Sequence, residues 1–260
     1  MCGRFVTPTN PDQIAAYFGA EAPEVELQQS FNVAPTNDIY AVVEGADGVR
    51  RVQTFHWGLV PSWAKDTKIG SKMINARGET LIEKPAFKGL FKAKRCIVPM
   101  EGFYEWKAGS AGGPVTAKGK PAKQPYFIHR LDGEPLAVAG LWAAWRDRDA
   151  GPDAPWLHSC TVITTSANGT MAPIHDRMPV ILTATAWDAW LDPDNDDLVD
   201  LNGLLVPASD SLLTMHPVST DVNKVSNKGP ELIEPIDPAP PEDPAPPEDP
   251  ASPAAGTLGI

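Results

Sequence analysis

Beyond residue 234 this chain has no means of folding. From Pro235 it reads PIDPAPPEDPAPPEDPASPAAGTLGI. Proline has no amide hydrogen to give to a helix or a sheet, and apolar surface this sparse cannot offset the entropy lost on ordering. Residues 235–260 are therefore expected to form a disordered, acidic, proline-rich tail, and the fold must be built within residues 1–234. That length suffices for one domain with a substantial buried core.

Within that body the pattern is strand-rich with a few helices. Residues 11–18 predict a short helix, with Asn10 as N-cap and Pro11 at the first helical position. Residues 38–43 and 49–57 predict a hairpin across the turn 44–48. Residues 95–105 contain a β-branched run, residues 126–130 with 135–145 suggest another hairpin, and 159–165 read as a buried strand. A short helix is expected over 185–191, capped by Thr183 or Thr185. The segment 108–123, rich in Gly, Lys and Pro, reads as a mobile loop. Strands and helices do not alternate regularly enough for a βαβ fold.

Charge and cysteine usage narrow the setting. The net charge is −11, but Asp237, Glu242, Asp243, Glu248 and Asp249 lie in the tail with no Lys or Arg, leaving −6 for the body. Phosphate binding depends on a local positive groove and not on the total. Residues 84–95 are strongly basic, with Lys65, Lys68, Lys72 and Arg77 ahead of them, so a nucleic-acid ligand is permitted and not required. No apolar run approaches the roughly 20 residues of a membrane span, and the N-terminus lacks the basic region and hydrophobic stretch of a secretory signal. A cytoplasmic protein is expected, associated with the nucleoid when bound to DNA. Cys2, Cys96 and Cys160 are widely separated and form no metal-binding spacing; Cys96 and Cys160 sit in apolar runs and read as core. No GxGxxG, P-loop, HExxH or GxSxG motif occurs, so no zinc, nucleotide, flavin or other cofactor is expected.

The polar motifs carry the chemistry. Removal of Met1 is favoured when the next side chain is small, and would leave Cys2 with a free α-amine and a thiol on one residue. Such an aminothiol can attack an aldehyde twice, giving an imine and then a thiazolidine, or act as a nucleophile on an amide. Asn75-Ala76-Arg77-Gly78-Glu79 follows a short apolar entry. Glu101-Gly102-Phe103-Tyr104-Glu105-Trp106 sets carboxylates among aromatics. In a strand, Glu101, Phe103 and Glu105 share one face, and Tyr104 and Trp106 the other. His175-Asp176-Arg177 provides a histidine able to move protons near neutral pH.

Together with Met1-Cys2-Gly3-Arg4-Phe5, Phe31-Asn32-Val33-Ala34-Pro35-Thr36, Trp57-Gly58-Leu59-Val60-Pro61-Ser62-Trp63, His216-Pro217-Val218-Ser219 and Asn227-Lys228-Gly229-Pro230-Glu231-Leu232, these motifs occur in an order that resembles the SOS-response-associated peptidase (SRAP) family, whose members cross-link to abasic sites in DNA. The resemblance runs from Cys2 to about Glu234. It implies an α+β single domain with a curved, mostly antiparallel sheet or partial barrel flanked by short helices. It implies a monomer that takes abasic single-stranded DNA as partner, with Cys2 forming a thiazolidine at C1′. Asn75 would orient the amine, Glu105 relay protons, and His175 assist ring opening. Arg4, Arg77 and Arg177 would hold phosphates, Asn32 and Pro35 would belong to a loop at the nucleotide channel, and Trp63 and Trp106 would stack on bases. Trp142, Trp145, Trp187 and Trp190 are expected in the core. Two alternatives stay open: a thiol autopeptidase that removes its own leader, with lyase-like activity as a further possibility, and a non-covalent reader of single-stranded or modified DNA.

Overall fold

Asn10 starts the first helix as its sequence demands: its side chain accepts hydrogen bonds from the Asp12 and Gln13 amides, and α1 (Pro11–Phe18) ends at Gly19 in the left-handed conformation. The computed structural model describes residues 2–7, 10–109, 115–116 and 118–236. The loop expected at 108–123 therefore lies partly outside the described residues, and the tail does so from residue 237. Ile236 still belongs to the body, its amide bonded to Pro217 O. The remaining helices are α2 (Pro85–Ala93), α3 (Trp187–Leu191) and α4 (Leu198–Gly203). Ahead of α3, Thr183 occupies the cap position of a 3₁₀ turn without capping it; its hydroxyl pairs with that of Thr185.

The strands divide between two sheets. One contains β2 (Asp38–Glu44), β3 (Arg50–Trp57), β4 (Asn75–Arg77), β5 (Arg95–Met100), β8 (Leu136–Trp145), β9 (Leu157–Ser166) and β10 (Arg177–Pro179). Within it β9, β3, β2, β5 and β8 pair in sequence and β8 returns to β9, closing a five-stranded barrel. The sheet is mixed, because β3 and β4 both run parallel to β9. The second sheet holds β1 (Phe5–Val6), β6 (Gly102–Lys107), β7 (Gln124–Arg130) and β11 (Leu213–Pro217), in the order β1-β6-β7-β11.

Two expected pairings are thereby corrected. The run 95–105 breaks at Glu101 into β5 of the barrel and β6 of the small sheet. Residues 126–130 and 135–145 do not form a hairpin. β7 bonds to β6 and β11 while β8 bonds to β5 and β9, and the chain passes between the sheets at 131–135. Strand alternation sorts the core accordingly. Ile39, Ala41, Phe55, Trp57, Cys96, Val98, Val138, Cys160 and Val162 face inward from all five barrel strands and join Cys2 and Phe5. The opposite faces, with Val42, Ile97, Ala139, Leu141 and Ile163, pack beneath Ile14 and Phe18 of α1, Phe87 and Phe91 of α2 and Trp190 of α3.

Candidate active site

The N-terminal segment is threaded into the wall between the two sheets. β1 pairs with β6 in the register Phe5↔Phe103 and Val6↔Gly102, and the Tyr104 amide donates to Arg4 O. One step further the same register sets Gly3 opposite Glu105. Cys2 is completely buried and Glu105 is 4% exposed. Burial raises the Cys2 thiol well above its ordinary value, and the negative charge of Glu105 raises it further. The Asn75 side chain donates from Nδ2 to Cys2 O at 2.7 Å, while its buried Oδ1 has no hydrogen-bond partner among the described residues. Asn75 owes this position to β4, whose residues pair with Val162, Ile163 and Thr164 of β9.

His175 closes the loop between β9 and β10. Its amide and that of Ile174 donate to Met171 O, and Asn168 ties the loop to Ala208 O and the Met171 amide. The imidazole Nδ1 lies 2.9 Å from Asp176 Oδ1 and also 3.0 Å from the Arg177 amide, which donates to it. Nδ1 needs a lone pair for the amide and a proton for the carboxylate, so the two partners call for opposite states of that one nitrogen. β4 and β10 flank the same end of β9, with Arg77 and Pro179 both opposite Thr164.

The structure places the other expected residues unequally. Arg77 is exposed beside Asn75. Arg177 is held: its guanidinium meets Glu79 through two bonds of 2.6 and 2.9 Å and donates to Thr164 O. The pairing with Arg177, more than any other interaction, keeps the Glu79 carboxyl below its ordinary value. Arg4 donates to Asn32 Oδ1 and Val222 O and lies 6.0 Å from the Trp106 ring, whose Nε1 donates to Asn223 Oδ1. Asn32 is fully buried and donates to the carbonyls of Val222, Lys224 and Asn227, so it fastens the 222–228 segment. Pro35 opens a tight turn closed by Asn37 N to Ala34 O, with Thr36 at φ 72°, an unusual conformation for a β-branched residue. Trp63 is 62% exposed. Glu101 does not share the face of Glu105: it precedes the strand and lines a cleft of about 590 Å³ with His129 and His216. Of the tryptophans expected inside, Trp145 and Trp190 are buried and Trp142 and Trp187 half-buried against the core.

Glu79, Asn223 and Lys228 were not singled out by the sequence. Lys228 donates to Asn32 O and is pulled below its ordinary value by burial, with the Arg4 charge adding to the effect. Only its place in the closing Asn227-Lys228-Gly229 motif hinted at it. Among the described residues no cluster of three or more His, Cys, Asp or Glu is placed to hold a metal, and no helix is long and apolar enough to cross a membrane.

A buried cysteine whose carbonyl accepts from the Asn75 side chain and whose thiol feels the charge of Glu105 defines a thiol-centred site near the start of the sequence. A profile of the SOS response associated peptidase (SRAP) family matches residues 1–225. The chain is 42% identical over 236 residues to the abasic site processing protein YoqW of Bacillus subtilis, covering 90% of this chain and 99% of that one. It is 36% identical over 220 residues to the abasic site processing protein HMCES of Gallus gallus, covering 75% and 61%. A crystal structure of a Bacteroides thetaiotaomicron protein superposes with a TM-score of 0.77 at 27% identity, over 90% of this chain and all of that one. The protein belongs to the SRAP family.

Proposed function

We propose that this protein, acting as a monomer, captures abasic sites in single-stranded DNA by closing a thiazolidine between Cys2 and C1′ of the ring-opened deoxyribose once Met1 has been removed. The observation that carries this reading is the buried Cys2 held by Asn75 and faced by Glu105. The thiol stays protonated at neutral pH, so the α-amine reacts first. Its lone pair attacks the C1′ aldehyde, and loss of one water from the carbinolamine leaves an imine. The sulfur then adds to the imine carbon, and the thiol proton passes through Glu105 to the nitrogen. Because both nucleophiles belong to one residue, the second attack is intramolecular and strongly favoured. His175, whose Nδ1 meets both an amide N–H and a carboxylate, suits the proton transfers that open the sugar and release water. Asn75 Oδ1, buried and without a hydrogen-bond partner among the described residues, is an acceptor open to the amine N–H. Arg77 supplies exposed positive charge for a flanking phosphate, and Arg4 with Trp106 forms a cationic, aromatic wall. Relatives named as abasic site processing proteins support the same substrate.

The test uses the mature protein and a single strand whose uracil has been excised. Wild type gives an adduct that survives denaturation. Cys2→Ser, which keeps the amine, gives one only when borohydride reduces the imine, and Cys2→Ala behaves likewise. A residue added ahead of Cys2 abolishes both products. Undiminished denaturation-stable adduct from Cys2→Ser would refute the thiazolidine step.

A further inference from the structure

We infer that Asp210 is a positioning residue for His175, and that its carboxylate ties the histidine loop of the barrel to the sheet that anchors the Cys2 segment. The inference rests on the proposed capture reading and adds a residue to it. The need for such a tie follows from the architecture. The Cys2 segment and Glu105 take their places from β1 and β6 of the small sheet, whereas the His175 loop leaves the barrel at β9 and re-enters it at β10. Groups that must act on one sugar are therefore set by two different sheets, and an error in their spacing is an error in the reacting geometry.

Asp210 stands on the turn ahead of β11, at the edge of the small sheet. Bonds from the Leu212 amide to Ser209 O and from the Leu131 amide to Leu212 O, each 3.0 Å, fix that turn. From it Asp210 Oδ1 accepts the Gly169 amide at 2.7 Å and the Thr170 amide at 3.4 Å, and the Asp210 carbonyl accepts the Thr170 hydroxyl at 2.9 Å. Gly169 is suited to this contact, because a Cβ there would stand 2.6 Å from Oδ2 and 3.2 Å from Cγ of Asp210. A carboxylate on backbone amides makes charge-assisted bonds, stronger than those between neutral groups.

From these amides the constraint reaches His175 in short backbone steps. Asn168 accepts the Met171 amide through its side chain and the Ala172 amide through its carbonyl, both at 2.9 Å, so residues 168–172 form a closed turn. Met171 is completely buried in the cluster that holds Cys2, and its carbonyl accepts the His175 amide at 3.0 Å. At the base of the loop the Ala167 amide donates to Asp176 O, also at 3.0 Å. A shift of Gly169 and Thr170 is therefore felt at Met171 and, through it, at the imidazole. Asp210 itself is exposed, so its replacement leaves the core filled.

The experiment is a mutant cycle read by single-turnover adduct formation on an abasic single strand, each variant being assayed well below its unfolding midpoint. A displacement of about 1 Å can cost roughly a hundredfold in rate. Asp210→Ala, which loosens the loop and keeps the histidine, is expected to slow adduct formation about tenfold. Gly169→Ala, which pushes the carboxylate away from the other side, should do the same, and Asp210→Asn, which keeps an oxygen acceptor, should restore most of the rate. In a His175→Ala background Asp210→Ala should cost nothing further, because it acts through the ring that is gone. An Asp210→Ala protein as fast as wild type, or one slowed equally with and without His175, refutes the positioning role and leaves the capture reading standing. A wild-type protein that forms no adduct overturns the capture reading, and the positioning role with it.

Discussion

A cysteine without water around it is a poor nucleophile, and Cys2 is in that condition until a neighbour takes its proton. Asn75 fixes where the residue points. Asn75→Ala removes its bond to Cys2 O and should slow adduct formation about tenfold, the worth of roughly one hydrogen bond, with little change in thermal stability. Single-turnover kinetics check this, and an unaltered rate would mean that Asn75 does not position the reacting residue. At this scale the sequence was informative wherever neighbours in the chain are also neighbours in space. Cys2, Asn75, Glu105 and His175 stood out by their motifs. The burial of Asn32 and the pairing of Arg177 were not legible, because Val222 and Glu79 lie far from them along the chain.

Elements obey the same division. Helix α1 could be placed from Asn10, Pro11 and Gly19 because capping is local. The partners of β7 and β8 could not, because a strand's apolar pattern says that it is buried and not which sheet receives it. The basic run 84–95 illustrates the cost of reading charge alone. Lys84, Lys88 and Lys92 are exposed, but Arg95 is 3% exposed and donates to the carbonyls of Phe91, Lys92, Trp190, Asp192 and Asn195. It closes the C-terminal ends of α2 and α3 together. Arg95→Ala would strand these buried acceptors and should cost about 3 kcal/mol, a fall of about 10 °C in the unfolding midpoint. Calorimetry measures it directly. A shift within experimental error would show that water replaces the guanidinium.

The whole molecule combines a closed five-stranded barrel with a second, four-stranded sheet, and the cluster inside the barrel includes Cys2. Cys2 packs in the same cluster as Cys96 and Cys160, so the N-terminal segment is anchored by the fold's own core. This gives stability an alkaline limit. Burial raises the thiols of Cys2, Cys96 and Cys160 above their ordinary value of 9.0, and the Tyr104 phenol above 10.0. The unfolded chain then gives up these protons first as pH rises. Their contribution to stability is complete below pH 9.0 and declines progressively above it. Thermal unfolding followed upward from neutral pH should show that decline, and Cys160→Ala should reduce its slope. A midpoint that stays flat through the alkaline range would contradict the burial argument.

The closed barrel completes the curved sheet or partial barrel that the resemblance implied, and β1 pairs antiparallel with β6; under the proposed function these together hold Cys2 as a rigid reacting group. The most direct test of that idea is the intact mass of the purified protein before and after incubation with an abasic single strand. The account predicts loss of Met1 beforehand, and afterwards a single product equal to protein plus strand minus one water. A protein that retains Met1 and still forms the adduct, or one that lacks Met1 and never gains the strand, would contradict it.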